Sequence, residues 1–299
     1  MTLPVPAVSV VMPVRNVERS IDATMRSLVG QTLREWELVV VDDGSTDATV
    51  ARLRAWAAAD RRIVVHVDGR NQGISARLNQ GVARCRAELV ARMDGDDICY
   101  PQRLEKQVAY LRAHPDVDLV GAGEMVFSSD GTPRGPRTVE GGHELVTADV
   151  LHGIPLSHPT WLGRRRWFVE HPYDGRRNGC EDQDVLLRAH RTSRYANMPD
   201  VLLAYREDGI KLRRSVRTRF VQGGMLVRWG LRNGRFAASL LAAAEHLARG
   251  ARDALAVATH QERRVLARRV RTPTAAERSV FAELWNRVNL RDSPERVGP

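Results

Sequence analysis

The sequence predicts an α/β fold built around a mainly parallel sheet. Four short apolar segments typical of buried strands occur within the first 97 residues, and amphipathic segments with helical spacing separate them. This alternation indicates βαβ units, whose strands run parallel. Polar and acidic residues follow the apolar segments, at the strand ends where open sheets of this kind bind ligands. We therefore expect the functional site at that edge of the sheet.

The first two strand–helix units are predicted from apolar runs and their flanking residues. Residues 8–12 form an apolar strand that Pro13 ends, and residues 18–29 have the apolar face of a helix. The second strand, residues 38–41, runs into Asp42 and Asp43. Acidic residues near a helix start are stabilised by its dipole, so Asp47 is expected to cap the helix that follows.

The third and fourth units lead to the most acidic loop of this half. Residues 63–67 form the third strand, and a helix reaching about residue 85 follows, capped by Ser75 or its neighbour. The fourth strand, residues 89–91, precedes Arg92-Met93-Asp94-Gly95-Asp96-Asp97. Three neighbouring carboxylates repel one another, and a divalent cation with oxygen ligands relieves that repulsion. A solvated Asp-Gly turn is the alternative.

Charge is segregated along the 299-residue chain. Residues 206–299 contain 20 Lys and Arg and 9 Asp and Glu, a net charge of +11, whereas residues 1–205 carry a net charge of −1. We expect one large domain, residues 1–205, and a helical, arginine-rich extension, residues 206–299. The large domain consists of two halves, at about residues 1–97 and 98–205.

Three hypotheses concern this basic extension. It packs on the first domain with a solvated basic face, or it is an amphipathic surface on anionic lipid that uses Phe220, Met225, Leu226 and Trp229. Binding of nucleic acid ranks last, because no interleaved exposed aromatic residues or known motif support it.

Compartment and membrane topology follow from cysteine use and hydropathy. Three cysteines without metal-ligand spacing indicate a reducing compartment and no disulfide framework. No leader pattern begins the sequence, and no apolar run has the length of a transmembrane helix. We expect a cytoplasmic protein, peripheral on the inner face of the cell membrane if the lipid hypothesis holds.

Five segments together resemble the family 2 glycosyltransferases in order and spacing. They are VSVVMPVRN at residues 8–16, VVVDDGSTD at 39–47, NQGISARLNQG at 71–81, RMDGDD at 92–97 and ED at 181–182. The resemblance covers about residues 7–205. It implies a GT-A fold, a nucleotide-sugar donor, a divalent metal (Mn²⁺ or Mg²⁺) and inversion at the anomeric carbon.

The resemblance also assigns roles on the donor side. Asp43 would accept a hydrogen bond from uracil, Asp96 would bind the metal together with Asp94, and Asp97 would orient the loop. The donor-binding residues that it implies are Pro13, Val14, Arg15, Asp43, Arg77 and Asp94.

On the acceptor side the resemblance selects Asp182 as the general base, which an inverting displacement needs. Glu181 would position this loop, and His158 and Trp161 are candidate acceptor contacts. The family often carries a metal-binding His near residue 208. Here Asp208 either replaces it or the ligand is missing.

The sequence thus predicts a metal-dependent inverting transferase that adds one sugar, from a UDP-sugar, to a glycan or lipid-linked acceptor of the cell envelope. The Gln-x-x-Arg-Trp motif of polymerising members is missing from the sequence. Two alternatives are a nucleotidyltransferase, which would want a Gly-rich loop after the first strand, and a sugar-nucleotide-binding protein without catalysis.

Overall fold

A computed structural model of the chain describes residues 4–289. Residues 1–3, on which the expectation of no leader partly depends, and residues 290–299 of the predicted extension lie outside the described part.

The helices and strands occur in the following order: β1 (Val8–Val14), α1 (Ile21–Val29), β2 (Trp36–Asp42), α2 (Thr49–Ala59), β3 (Ile63–His66), α3 (Ile74–Arg84), β4 (Leu89–Arg92), β5 (Ile98–Cys99), α4 (Arg103–Ala113), β6 (Leu119–Phe127), β7 (Pro133–Arg137), α5 (His143–Val146), β8 (Leu162–Arg164), α6 (Arg165–Glu170), α7 (Glu181–Ala189), β9 (Tyr195–Arg206), α8 (Leu212–Arg232), α9 (Phe236–Ala258), α10 (Glu262–Ala267) and α11 (Ala275–Asn289). Two short 3-10 helices, His158–Thr160 and Gly175–Arg177, precede β8 and α7.

One mixed sheet contains all nine of these strands, in the order β3-β2-β1-β4-β8-β6-β9-β5, with β7 paired to β6. The half formed by β1 to β4 is parallel throughout. β8 lies antiparallel between β4 and β6, while β9 runs parallel to β6. The predicted α/β class with a mainly parallel sheet is therefore confirmed.

Helices cover both faces of this sheet, because its strands alternate between two cores. On β1, Val10 and Met12 join a core with α1, α2 and α4, whereas Val11 faces a second core with α3, α6 and α7. Since successive strand side chains point to opposite faces, a strand buried on both faces is apolar throughout. The continuous apolar runs in the sequence are therefore explained by a sheet that is covered by helices on both faces.

The predicted strands at residues 8–12, 38–41, 63–67 and 89–91 form as β1 to β4, with small boundary shifts. The first helix begins at Ile21 instead of residue 18, because a turn at Val17 precedes it. The helix assigned to a Ser75 cap begins at Ile74, with Gly73 as its N-cap residue. Ser75 lies inside this helix and its hydroxyl donates to Asn178 Oδ1 at 2.7 Å.

The C-terminal region is helical, as predicted, and packs on the rest of the molecule in two places. Met225 and Leu226 of α8 are buried with Leu151 and Leu187. Because they are buried there, the predicted lipid-facing role of Met225 and Leu226 is wrong. The helices within residues 4–289 include none that is long and apolar enough to cross a bilayer.

The second contact involves α11. Its residues Phe281, Leu284 and Val288 enter a core with Ile98 and Phe127, beside the end of β9. The final described helix therefore supports the back of the sheet instead of extending away from it.

Candidate functional site

A cavity of about 920 Å³ opens beyond the carboxyl ends of β1 and β4 and continues between β6, β9 and α8. Most of the predicted site residues line it: Pro13, Val14, Arg15, Asp43, Asp94, Asp96, His158, Glu181, Asp182 and Asp208. Arg77 and Trp161 are not among its lining residues. The structure thus gathers residues from both halves of the first 205 positions around a single space.

The loops after β1 and β2 form one wall of this cavity. The Asp43 N–H donates to the Val14 carbonyl at 2.8 Å, which ties the two strand ends together. Asn16, with φ of 52°, accepts the N–H of Thr46 on its side-chain oxygen at 2.8 Å. These bonds hold Pro13, Val14 and Arg15 at the rim.

The Asp43 carboxylate is held by the loop that precedes α3. Its oxygens accept the N–H groups of Gln72, at 2.6 Å, and of Gly73, at 3.1 Å. Oδ1 also accepts Arg77 Nε at 2.9 Å. Asp43 therefore organises the loop while one side of it faces the cavity.

Arg77 has a different environment from the one predicted. Its side chain is 1% exposed and also pairs with Asp68 (NH2 to Oδ1, 2.7 Å) and with Gln80 (NH1 to Oε1, 2.8 Å). It donates further to the carbonyl of Arg70. With its donors used inside the protein, the guanidinium does not reach the cavity, and the geometry favours a positioning role through Asp43.

The acidic loop after β4 is fastened to α1. The Thr24 hydroxyl donates to the carbonyl oxygens of Gly95, at 3.1 Å, and of Asp97, at 2.8 Å. A Cβ atom on Gly95 would lie 2.8 Å from Val14 Cγ1, closer than such atoms approach in proteins. Glycine between the two acids therefore lets the loop pack against the end of β1.

Asp94, Asp96 and Asp97 can each offer one carboxylate oxygen within 4.8 Å of the others. Burial, together with the charge of Asp94, raises the pKa of Asp96 to about 6. Burial, together with the charges of Asp96 and Asp94, raises the pKa of Asp97 well above its usual range. Burial is the larger cause of both raised pKa values, mutual repulsion adds to it, and a bound cation would lower both pKa values.

The donor set fits a hard divalent cation. All three groups are carboxylates, which Mn²⁺ and Mg²⁺ accept readily. One oxygen of Asp97, Oδ2, is buried and has no hydrogen-bond partner within residues 4–289, while Oδ1 accepts the Arg206 N–H at 2.9 Å. Asp208, the other candidate ligand, lies outside this cluster, and its two oxygens accept from Ser129 N and Oγ, both at 2.7 Å.

Arg92 was not selected from the sequence, yet it lies in the centre of the site. It is 4% exposed, and NH2 pairs with Asp94 Oδ1 at 2.6 Å. Its Nε and NH1 atoms are buried without a hydrogen-bond partner. Its charge also lowers the pKa of Asp182, opposing the larger effect of burial. Only its position two residues before Asp94 could have suggested it.

Glu181 and Asp182 begin α7 and also line the cavity. The Glu181 carboxylate accepts the Gly179 N–H at 2.5 Å, which fixes the loop before the helix. Burial raises the pKa of Asp182 above its usual value, and burial together with Asp182 does the same for Glu181. A carboxylate with a raised pKa is a stronger base, which suits Asp182 to accept a proton.

The two acceptor-side candidates occupy different places. His158 reaches the cavity, with Nε2 3.0 Å from the Tyr173 hydroxyl, and burial lowers its pKa well below the usual value. Trp161 is fully buried, and its Nε1 donates to the Leu156 carbonyl at 3.2 Å. The structure therefore places Trp161 in the core behind His158, at 4.5 Å between ring centroids, where it cannot stack on a sugar.

Sequence reasoning also missed a polar floor formed by β6, β7 and β9. Glu124 is 3% exposed and pairs with Arg137 Nε at 2.7 Å. Arg137 in turn lies over the Tyr205 ring at 5.1 Å. All three line the cavity, but they are far apart in the sequence and no motif connects them.

Fold and site together define a transferase of the GT-A type, with acidic groups at the end of the parallel half-sheet and an acidic pair that lines the same cavity. The chain belongs to the glycosyl transferase family 2, whose profile matches residues 9–171. It is therefore a glycosyltransferase, as the five motifs predicted.

Several curated relatives carry the same family name. The putative glycosyltransferase EpsE of Bacillus subtilis is 33% identical over 227 residues, which is 74% of this chain and 81% of EpsE. The amylovoran biosynthesis glycosyltransferase AmsE of Erwinia amylovora is 31% identical over 66% of this chain and 75% of AmsE.

Solved structures share the fold. TarS 1–349 of S. aureus in complex with UDP-GlcNAc has a TM-score of 0.58 and 20% identity, over 80% of this chain and 71% of that one. The match to a longer TarS structure covers 39% of that chain. The mannosyltransferase PcManGT from Pyrobaculum calidifontis, in complex with GDP-Man and Mn²⁺, has a TM-score of 0.56 and 20% identity, over 95% and 86% of the two chains.

Proposed function

We propose that this glycosyltransferase transfers a single sugar, with inversion, from a UDP-sugar to a glycan or lipid-linked acceptor used in cell-envelope polysaccharide synthesis. The observation that carries the proposal is the placement of the Asp94–Asp96–Asp97 cluster and the Glu181–Asp182 pair around one cavity. AmsE, which is named for amylovoran biosynthesis, supports the polysaccharide context.

The reaction that we propose forms one bond and breaks one. The acceptor hydroxyl oxygen attacks the anomeric carbon, the bond to the nucleoside diphosphate breaks, and the hydroxyl proton passes to Asp182. We assign this base to the face of the donor sugar opposite the departing diphosphate, because inversion requires attack from that face. Arg92 keeps Asp94 oriented.

For the metal, Asp96 and Asp94 are the proposed ligands, and Asp97 with its unpartnered oxygen is added to them. Bound Mn²⁺ or Mg²⁺ would neutralise the charge that develops on the diphosphate as it leaves. Asp208 is not retained as a ligand, because Ser129 uses both of its oxygens.

We assign the nucleotide base and ribose to the wall of Pro13, Val14, Arg15 and Asp43. Asp43 reads the base with Oδ2, which accepts the Gly73 N–H at 3.1 Å, whereas Oδ1 also accepts from Gln72 and Arg77. The TarS complex with UDP-GlcNAc favours a uridine nucleotide, while the PcManGT complex with GDP-Man makes guanosine the rival to be tested.

The acceptor is assigned to the side of the cavity lined by His158, Glu124 and Asp182. For the protein as a whole we propose a cytoplasmic location with peripheral contact to the inner face of the membrane, near a lipid-linked acceptor. Nucleic acid has no place in this proposal.

A donor screen tests the proposal. The chain is incubated with UDP- and GDP-sugars, with Mn²⁺, Mg²⁺ or chelator, and released nucleoside diphosphate is measured. Release from UDP-sugars that needs metal is expected, and with a glycan or lipid-linked acceptor present mass spectrometry should show one sugar added to that acceptor. Release of pyrophosphate in a parallel incubation with UTP and a sugar 1-phosphate would instead indicate a nucleotidyltransferase. Binding of a nucleotide-sugar without either release would indicate a non-catalytic protein.

A further inference from the structure

Helix α9 has its polar and apolar residues on the opposite sides from those of an ordinary surface helix. Its buried residues include Ser239, His246 and Asp253, each at most 1% exposed. Its large apolar residues face outward: Phe236 (46% exposed), Leu240 (50%), Leu241 (64%), Leu247 (40%) and Leu255 (64%). The exposed positions between them are alanines and Arg252. Two further charged side chains of α9, Arg249 and Glu245, are 39% and 44% exposed. An apolar face of this length does not occur by chance on a surface helix.

Polar contacts prevent α9 from turning this face inward. Asp253 pairs with Arg269 at 3.0 Å and with Arg219 at 3.9 Å. Arg219 NH1 also lies 3.2 Å from His246 Nδ1. Because Arg219 and Arg269 line the main cavity, the inner face of α9 forms part of the outer wall of the site.

The surroundings of the outward face are basic. Arg228, Arg232 and Arg235, at the end of α8 and the turn into α9, are exposed and form no ion pair within residues 4–289. Leu231 beside them is 63% exposed. The partly exposed acid of α9, Glu245, is paired with His152 and Arg249. A partner for this face must accept apolar side chains and carry negative charge.

We propose that the outward face of α9 lies in the headgroup layer of an anionic bilayer, with the arginines at its start bound to acidic lipid phosphates. The helix has 23 residues, about 34 Å, and would lie along the membrane surface. A second copy of the chain is a poorer partner, because the same arginines would then face one another. This inference deepens the proposed function. It rests on that function only for the lipid-linked acceptor, which docking would bring close to the cavity.

The test is co-sedimentation of the full chain with vesicles of phosphatidylcholine, with and without phosphatidylglycerol, at low and high salt. We expect binding to the anionic vesicles alone, weakened by salt. The variant Leu240→Gln/Leu241→Gln/Leu247→Gln should lower the partition coefficient about tenfold or more, since three leucines no longer enter the bilayer. Arg228→Glu/Arg232→Glu/Arg235→Glu should lower it by a similar factor on anionic vesicles.

Two control variants have the same chemical changes elsewhere. Val64→Gln/Val169→Gln/Val280→Gln alters exposed apolar residues outside α9, and Arg54→Glu/Arg61→Glu/Arg112→Glu alters the net charge by the same amount. Both are expected to bind like the parent chain. Circular dichroism and UDP affinity, measured without vesicles, should be unchanged in the leucine variant, which separates a docking defect from a failure of the donor site.

Three results would overturn the proposal. The first is no sedimentation of the parent chain with anionic vesicles, and the second is equal sedimentation of the parent and the leucine variant. The third is a lipid-free dimer that the leucine substitutions dissociate, because this would assign the face to a second copy. A chain that binds vesicles but releases no nucleoside diphosphate would leave docking intact and contradict only the proposed function.

Discussion

The carboxylates that line this cavity differ in how readily the sequence identifies them, because some belong to motifs and others depend on tertiary contacts. Asp94, Asp96 and Asp182 could be selected from the sequence because each belongs to a short motif. The same loop also offered Asp97 as a third carboxylate, but the hydrogen bond from the Arg206 N–H to its Oδ1 could not be predicted from the sequence. Arg92 could not be selected for a similar reason. The sequence does not show that two nitrogen atoms of this strand arginine are buried without a hydrogen-bond partner among residues 4–289.

Asp182→Asn should remove the proton acceptor while preserving the size of the side chain. We expect transfer to slow by roughly 10²–10⁴-fold, as for the loss of a general base. Initial rates with saturating donor measure the effect. UDP affinity should remain that of the parent, and an unchanged rate would move the base to another residue, with Glu181 the nearest carboxylate.

Asp96→Ala should weaken the binding of UDP in the presence of Mn²⁺, because the proposed metal site loses a ligand. Titration calorimetry with Mn²⁺, and again with chelator, measures the change. In the parent chain the chelator should weaken UDP binding to the level of the variant. Equal affinity in all of these samples would refute a metal role for the cluster.

Arg77→Ala should lower the free energy of unfolding by about 3–5 kcal/mol, because the buried carboxylate of Asp43 is left without its cation. Urea unfolding followed by fluorescence gives the value. Arg84→Ala, an exposed arginine on the same helix, is the control and should change stability by less than about 0.5 kcal/mol. A stable Arg77→Ala chain that fails to bind UDP would instead support direct donor contact.

At the scale of helices and strands, the parallel half of the sheet could be predicted and the antiparallel half could not. β1, β2 and β4 are buried on both faces, so their apolar runs are unmistakable, whereas β3 at the edge of the sheet exposes Val64. β5 and β8 have two and three residues, too few for a periodic pattern. Their pairing depends on neighbours that are distant in the sequence, such as Leu89 with Arg164.

The packing of α3 on β1 gives a sharp test at this scale. A Cβ atom on Gly81 would lie 2.4 Å from Val11 Cγ1. Gly81→Ala should therefore destabilise the protein by about 1–3 kcal/mol through overpacking, although alanine favours helix. Denaturant unfolding measures the loss.

Gly224→Ala is the matched control, because its Cβ atom would meet nothing within 4 Å on helix α8. Here alanine should stabilise the protein by up to about 1 kcal/mol. If both substitutions stabilise the chain, α3 can move away from β1 and the close contact is not obligatory.

The whole molecule shows how far composition can mislead. The net charge of +11 on residues 206–299 predicted a separate basic extension, but it did not predict that α8 and α11 share cores with the rest of the molecule. The periodicity of α8 predicted that Met225 and Leu226 face lipid, but both are buried. In the C-terminal region the exposed large apolar residues lie mainly on α9. A pattern gives the faces of a helix, whereas only tertiary packing decides which face is covered.

Phe281→Ala should lower the stability of the entire molecule by about 3–5 kcal/mol, because the ring is 1% exposed and packs 5.4 Å from Phe127. Calorimetry should show the whole transition moving to lower temperature. Val280→Ala, 52% exposed on the same helix, should leave it in place. A second, separate transition affected by Phe281→Ala alone would show that α11 unfolds independently of the sheet.

The hydrogen bond from the Arg206 N–H to Asp97 has a consequence for folding during synthesis of the chain. The two residues are 109 positions apart, which is roughly 5–20 s of translation. During that interval the nascent chain already has the acidic loop but lacks the partner that secures it. We expect competence for the nucleotide to arise late in synthesis, so that an unfinished polypeptide on the ribosome does not sequester cellular sugar donors.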